Sequence, residues 1–219
     1  MLRLFFLALL TVALSACATL PDEQPVTDYS HALWQQRLSH LGTLKQWHIR
    51  GRVALFIKDD VYNLGLDWQR NGEDSTLKLE AALGQGMVQL SSQAGAVKLD
   101  TSEGKSYLGN NAEQVLKAAT GWSLPVAGLQ SWIKGIPHTR SDYLPDINVH
   151  GHARLIRQDG WKINFIDYQK VRLRHFGEVT LPEKLYLKRD QVALKIVIDQ
   201  WQNQSDSLID DDFFPQFPG

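Results

Sequence analysis

Apolar and polar side chains alternate along most of the chain, and this period of two constrains the fold more than any other sequence feature. Between Ile49 and Ile57 every second residue is apolar or glycine, and the alternation returns in residues 61–70 and 77–83. Such a period places successive side chains on opposite faces of a strand. The Asn71-Gly72 pair favours a tight hairpin turn between the second and third runs. The pattern therefore predicts an antiparallel meander with one apolar face.

Further short strands are expected on both sides of a helical interruption. They are predicted at residues 87–92, 96–101, 105–108, 148–158, 161–168, 184–189 and 192–201. Asp159-Gly160 and Asp190-Gln191 are the expected hairpin turns of the second group. Residues 142–146, which contain Pro145, are expected to form a loop.

Three segments show helical patterns instead. Residues 29–41 carry apolar side chains at helical spacing, with Ser30 as the expected cap and Gly42 as the stop. A central helix capped by Asn110 or Asn111 is expected to run to residue 120, and a second short helix ends near Gly135. These elements predict a mainly β fold, in which the central helices cover the concave face of a strongly curved antiparallel sheet. An apolar cavity results where the helices do not fill that face.

The first residues are typical of an export signal that ends at a lipidation site. An apolar run over residues 4–14 has the length of a signal-peptide core and falls short of the roughly 20 residues that cross a bilayer. The following residues 14–17, LSAC, resemble a bacterial lipobox, in which the cysteine is acylated and the preceding peptide is removed. We therefore expect residues 1–16 to be a signal peptide and residues 17–28 to be a lipidated N-terminus and tether. The alternative is an ordinary secreted protein in which Cys17 lies near the cleavage site by chance.

Composition and motifs exclude several functions. The formal net charge is −1, which argues against a nucleic-acid partner. The sequence contains no phosphate-binding loop, no HExxH motif and no Gly-x-Ser-x-Gly motif, which is evidence against an enzyme. His150 and His152 would share one face of a strand and form half of a metal site. No further ligand follows at suitable spacing, so we expect a plain polar face and no metal.

Arg50 and Arg52 leave two interpretations open. They share a predicted strand face with His48, and a solvated outer face is the favoured interpretation. The alternative places a guanidinium at the mouth or lid of the cavity, where it hydrogen-bonds the central helices or an ester carbonyl.

Several segments of the chain occur in the order found in one known family. They are the lipobox at Cys17, WHIRGR (47–52), LDWQ (66–69), ALG (82–84), GWSLPV (121–126), LQSWIKG (129–135), GW (160–161), LP (181–182) and IDQW (198–201). This ordered set resembles the outer-membrane lipoprotein receptor family LolB. Residues 203–219 form an acidic and aromatic tail that departs from the family pattern, and the resemblance assigns no role to this tail.

The resemblance implies a fold and a function. The expected fold is an incomplete, strongly curved antiparallel β-barrel over residues 29–202, closed by α-helices around a hydrophobic cavity. The expected function is that of a monomeric receptor in the outer membrane, anchored by lipid on Cys17 and facing the periplasm. Such receptors accept acylated lipoproteins from the periplasmic carrier LolA and insert them into the outer membrane. Ala18, directly after Cys17, agrees with the outer membrane by the sorting rule of enteric-type bacteria. No cofactor is expected besides the covalent lipid.

The resemblance also suggests functional residues. Leu83 matches a leucine that the family carries on a loop protruding between two strands and uses to insert lipoproteins into the membrane; the alternative is that Leu83 ends an inward-facing strand. The wall of the cavity is predicted from strand phase to contain Val53, Leu55, Leu66, Trp68, Leu79, Leu90, Leu99, Ile163, Phe165 and Ile196. The lid is predicted to contain Trp122, Leu129, Trp132 and Ile133.

Two other functions remain as alternatives to the receptor. One is a generic envelope lipoprotein that binds free fatty acid or phospholipid without a carrier partner. The other is an enzyme that acts on envelope lipid, which the missing catalytic motifs disfavour. The first alternative shares every fold-level feature with a receptor, so only the partner distinguishes the two.

Overall fold

The computed structural model describes residues 25–81, 86–174 and 176–202. These residues form three helices: α1 (Asp28–Gly42), α2 (Ala112–Thr120) and α3 (Val126–Trp132). They also form eleven strands: β1 (Gln46–Ile57), β2 (Asp60–Asn71), β3 (Asp74–Ala81), β4 (Met87–Gln93), β5 (Ala96–Thr101), β6 (Ser106–Gly109), β7 (Tyr143–Ile147), β8 (Ala153–Gln158), β9 (Trp161–Leu173), β10 (Gly177–Arg189) and β11 (Val192–Gln202).

All eleven strands belong to one antiparallel sheet. Their order is β6-β5-β4-β3-β2-β1-β11-β10-β9-β8-β7, so the first and last strands of the chain pair at the centre of the sheet. The edges β6 and β7 do not pair with each other, and the strongly curved sheet is therefore an incomplete barrel. The predicted fold class, mainly β with covering helices, is confirmed.

A β-bulge in the central strand explains one glycine of the WHIRGR motif. The register between β1 and β11 shifts between Arg50 and Gly51. A Cβ atom added at Gly51 would lie 2.1 Å from the carbonyl oxygen of Val197, closer than any side chain tolerates. Bulges bend a strand and increase its twist, which suits the middle of a strongly curved sheet. Gly51 is therefore required by packing of the backbone.

The first helix begins earlier than its sequence pattern predicts. Thr27 is the N-cap, and its side chain and backbone form a reciprocal capping box with Ser30 at the third helical position. The hydroxyl of Ser30 also donates to the carbonyl of Val149 at 3.1 Å. The prediction of Ser30 as the cap was wrong. Thr27 is the N-cap, and Ser30 lies inside the helix, where its side chain accepts a hydrogen bond from the backbone N–H of Thr27.

The secondary structure around Pro145 differs from the prediction, which placed a loop at 142–146 and a strand at 148–158. Residues Tyr143–Ile147 form the edge strand β7, which accepts proline because one side of an edge strand makes no ladder hydrogen bonds. The predicted strand over 148–158 begins only at Ala153. Before it, the Asn148 side chain accepts hydrogen bonds from the backbone N–H groups of His150 and His152, which closes a turn.

The hairpin between β2 and β3 is displaced by one residue from its prediction. Asn71 pairs with Asp74 across the two strands, so the turn residues are Gly72 and Glu73. Gly72 has a φ of +64°, which glycine adopts without strain. At the β8–β9 hairpin, Asp159 and Gly160 both have positive φ, as predicted for this pair.

Candidate functional site: the apolar interior under the lid

Helices α2 and α3 cover the concave face of the sheet, and we call residues 112–133 the lid. Asn111 caps α2 by accepting hydrogen bonds from the N–H groups of Glu113 and Gln114, both at 3.0 Å. Gly121 ends α2 in the left-handed conformation, with φ +78°. The next helix, α3, starts at Pro125 without a side-chain cap. The first helix of the lid, α2, therefore has a side-chain N-cap, whereas the second helix, α3, has none.

The lid and the sheet enclose a small apolar void. Its lining consists of fourteen apolar residues: Val53, Leu55, Leu64, Leu66, Trp68, Leu77, Leu79, Leu116, Leu124, Val126, Leu129, Ile133, Leu194 and Ile196. The void has a volume of about 30 Å³, comparable with the share of one water molecule in the liquid. The predicted cavity is therefore nearly filled in this structure, because side chains of the lid pack onto the inner face of the sheet.

The predicted wall residues divide into two groups. Six of them line the void: Val53, Leu55, Leu66, Trp68, Leu79 and Ile196. The other four, Leu90, Leu99, Ile163 and Phe165, are buried in the same core without lining the void. Leu64 and Leu77 also line the void and were not proposed as wall residues. Strand phase could have found both, because each lies two residues from a proposed neighbour on the same strand face.

The four predicted lid residues also have different positions. Leu129 and Ile133 line the void. Trp132 is fully buried, and its Nε1–H donates to Gln158 Oε1 at 2.9 Å. Trp122 is half-buried and contacts Tyr62, with ring centroids 5.3 Å apart. Trp132 is therefore an anchor of the lid, and Trp122 covers its outer margin.

The end of the lid that follows α3 is fixed by a buried polar network. Gln158 of β8 accepts from Trp132 and donates through Nε2 to the carbonyls of His138 and Ser141, at 2.8 and 3.1 Å. The buried Lys134 donates through Nζ to the carbonyls of Leu41 and Leu44 at the end of α1, at 3.1 and 3.3 Å. Positive charge at a helix C-terminus is favourable.

The side chain of Lys134 has an unusually low pKa. Burial lowers the pKa of its ammonium to about 8, and the nearby charges of Arg70 and Lys45 act in the same direction. Arg70 also contacts the lid directly, because its Nη1 donates to Gln130 Oε1 of α3 at 2.6 Å. Hydrogen bonds therefore join α3 to β2 and β8, and the residue Lys134 just after α3 to the end of α1.

The structure corrects the proposed contact of Arg50 and Arg52 with the lid or mouth. Arg50 Nε donates to Asp67 at 3.1 Å, and Arg52 forms two hydrogen bonds to Asp199, at 3.0 and 2.7 Å. Both side chains are largely exposed, on the face opposite the buried Ile49 and Val53. They occupy the solvated outer face, the favoured interpretation of the sequence. Exposed ion pairs of this kind contribute little to stability, because water and salt screen them.

The two histidines predicted on one strand face lie in the turn before β8. The ring of His152 stacks on Tyr168 at 4.9 Å, and burial lowers the pKa of His152 to about 4, assisted by Arg37 and His150. Among the described residues no group of three His, Cys, Asp or Glu side chains is arranged to hold a metal ion. No helix in the described part of the chain is long and apolar enough to cross a membrane.

Cys17, Leu83 and the tail at 203–219 lie outside the described residues. The residues that flank Leu83 are described, however. The N–H of Ala81 donates to the carbonyl of Gly86 at 2.8 Å, and Glu80 pairs with Met87. Strands β3 and β4 are therefore paired up to the described residues on either side of 82–85.

The fold and the site define a class of protein in which an open, curved antiparallel sheet carries a helical lid over its apolar face. The model of the family "Outer membrane lipoprotein LolB" matches residues 45–201. The chain therefore belongs to the LolB family of outer membrane lipoproteins, as the ordered motifs predicted.

Relatives named "Outer-membrane lipoprotein LolB" match nearly the whole chain. The Coxiella burnetii (strain RSA 493) protein is 32% identical over 197 residues, which cover 90% of this chain and 91% of the relative. The Marinobacter nauticus protein is 30% identical over 207 residues, covering 92% and 98%. The Aeromonas hydrophila protein is 32% identical over 201 residues, covering 92% and 96%.

Proposed function

We propose that this chain is an outer-membrane-anchored receptor that accepts lipoproteins from the periplasmic carrier LolA and inserts them into the outer membrane. The observation that carries the proposal is the wholly apolar interior beneath a helical lid, in a member of the LolB family. In this role the protein is a monomer, faces the periplasm and is not an enzyme. The lipid on Cys17 is its only attached group.

The energetics of acyl chains explain why a receptor of this kind is needed. Each buried methylene is worth about 0.8 kcal/mol, so release of one 16-carbon chain into water costs on the order of 12 kcal/mol. Passing the chain directly from one apolar interior to another avoids this exposed state. The sequence carries no phosphate-binding loop, so transfer runs downhill in affinity from carrier to receptor to bilayer.

Acceptance of an acyl chain requires the lid to move, because a void of about 30 Å³ cannot hold one. The end of the lid at Trp132 is fixed to β8 by the bond to Gln158, and Lys134 just beyond it is bonded to the end of α1. The turn before α3 has no side-chain cap, and within the described chain α2 packs mainly on the strands β4 to β6 and on α3. In our proposal, α2 and the start of α3 therefore swing outward while the chain after Trp132 stays in place.

The remaining parts of the chain have separate roles in this proposal. Residues 1–16 are the signal peptide, 17–28 carry the lipid and the tether, and 29–202 form the receptor domain. Leu83, on the connection between β3 and β4, inserts cargo into the membrane. Cys17 keeps the domain close to the membrane by raising its local concentration there. The tail at 203–219 receives no role.

A transfer experiment tests the receptor against a generic lipid-binding lipoprotein. The full chain carrying Cys17→Ala is mixed with LolA loaded with a labelled lipoprotein, and the two proteins are separated by affinity capture. We expect most of the lipoprotein to move to the Cys17→Ala protein. In the control without the Cys17→Ala protein, the lipoprotein should stay on LolA. If the lipoprotein stays on LolA while the Cys17→Ala protein still binds free fatty acid, the generic alternative is correct.

A further inference from the structure

Arg37 of α1 is a half-buried cation that the proposed transfer function does not use. Its guanidinium lies over the ring of Tyr168, 5.5 Å from the ring centroid. Its single hydrogen bond within the described chain runs from Nη2 to the carbonyl of Lys134, at 3.3 Å. Its Nε is buried without a partner there. A guanidinium has five N–H donors, so most of the donors of Arg37 are unused.

Among the described residues, the group that acts electrostatically on Arg37 is Tyr168, and no carboxylate pairs with the guanidinium. The groups that act electrostatically on Arg37, Lys134 and His152 in the described structure are Tyr168, Arg70, Lys45, Arg37 itself and His150. The ammonium of Lys134 is offset by two carbonyl oxygens of α1. Burial lowers the pKa of Arg37 from its usual value, which shows that its charge is poorly solvated. A guanidinium with reduced access to water and with free donors is suited to bind an anion.

A groove lined by both apolar and polar side chains lies directly beside this charge. It has a volume of about 740 Å³ and runs between α1, the turn before β8 and the strand β10. Arg37 and His152 line it together with the polar side chains Gln36, Ser39, Thr43 and Thr180. A volume in this range is typical of small-molecule sites, and hydroxyl and amide groups are the partners that phosphate oxygens accept from.

We propose that this groove binds a phosphate group, with Arg37 as its principal cation and the Gln36 amide and the Thr180 hydroxyl as further donors. The planar guanidinium matches the geometry of phosphate oxygens and forms charge-assisted hydrogen bonds with them. A bound phosphate compensates the positive charge between α1 and the turn after α3. The phosphate comes either from the headgroup of a phospholipid or from the free ion.

The position of α1 favours a lipid headgroup as the source. Asp28, the first residue of α1, lies eleven positions after Cys17. A chain of this length spans at most about 40 Å when fully extended. The groove is therefore within reach of headgroups if Cys17 anchors the protein as proposed. This step rests on the proposed function, whereas the phosphate site itself rests on the geometry around Arg37.

Titration calorimetry on the full chain carrying Cys17→Ala tests the site. The probes are inorganic phosphate, glycerol 3-phosphate and dihexanoyl phosphatidylglycerol below its micelle concentration. We expect saturable binding, weakened about tenfold or more by Arg37→Gln, because a hydrogen bond to a charged group contributes about 1.5–3 kcal/mol. The matched control Arg52→Gln removes an exposed arginine of the outer face and should leave binding unchanged.

The three probes separate the two sources of phosphate. Stronger binding of the phosphatidylglycerol identifies the headgroup, and equal binding of all three identifies the free ion. Absence of binding to every probe, or equal affinity of Arg37→Gln, would overturn the proposal. If Arg37→Gln fails to fold, Thr180→Val serves in its place, with a weaker but measurable loss expected. No carrier or lipoprotein is present, so a negative result does not affect the receptor proposal.

Discussion

Replacing Leu83 with glutamate should leave acceptance of lipoprotein from the carrier intact and reduce its incorporation into membranes by at least about tenfold. A charged side chain in the middle of a bilayer costs about 2.5–3.5 kcal/mol, whereas leucine is favourable there. Half of the free-energy difference between the charged side chain and leucine is about 1.4–2 kcal/mol, and 1.4 kcal/mol corresponds to a tenfold change. The measurement follows a labelled lipoprotein from LolA to the receptor and then into liposomes, with both steps quantified separately.

Leu108→Glu is the matched control for this substitution. Leu108 lies on the edge strand β6 with 78% of its surface exposed, so a glutamate there is tolerated without loss of packing. We expect Leu108→Glu to behave as the unsubstituted protein in both steps. Equal membrane incorporation by Leu83→Glu and Leu108→Glu would remove Leu83 from the insertion step.

Replacing Trp132 with alanine should lower the free energy of unfolding by about 3–5 kcal/mol, the range typical of a buried tryptophan. Trp132 is fully buried, contacts Trp161 with ring centroids 6.3 Å apart, and is bonded to Gln158. Gln158 Oε1 also accepts from the N–H of His138, so the amide keeps one partner after the substitution. Most of the loss therefore comes from the cavity that the indole leaves.

Trp122→Ala provides the comparison for urea-induced unfolding of the two variants. Trp122 is only half-buried and contacts Tyr62 at the margin of the lid. We expect its substitution to cost clearly less than that of Trp132. If the two variants lose equal stability, Trp132 is not the anchor that fixes the end of the lid.

Much of the inner face could be predicted from the sequence because its physical signal is local. The alternation in β1, β2 and β3 assigned Leu55, Leu66 and Leu79 to the buried face, where the structure has them. Turn residues with special backbone conformations, such as Asp159 and Gly160, carry an equally local signal. Because each strand showed one apolar face, the sequence predicted a curved sheet whose apolar face must be covered by other elements.

The errors arose where distant parts of the chain decide the outcome. Pro145 argued for a loop, but its position on the sheet edge made a strand possible. For the arginines of the WHIRGR motif the sequence favoured the outer face but left a second position open, because one of the partners that hold them there, Asp199, lies far along the sequence. The volume of the interior depends on how closely Leu129 and Ile133 pack on the sheet, which no periodicity records.

The central claim is that the acyl chains of a lipoprotein enter the interior beneath the lid. It is tested most directly with LolA loaded with a lipoprotein whose fatty acids carry a diazirine. After transfer to the Cys17→Ala protein and irradiation, mass spectrometry identifies the cross-linked residues. We predict cross-links to residues that line the void, such as Leu66, Leu129 and Ile133. Cross-links confined to the outer face, for example at Ile166, which is 65% exposed, would contradict the account.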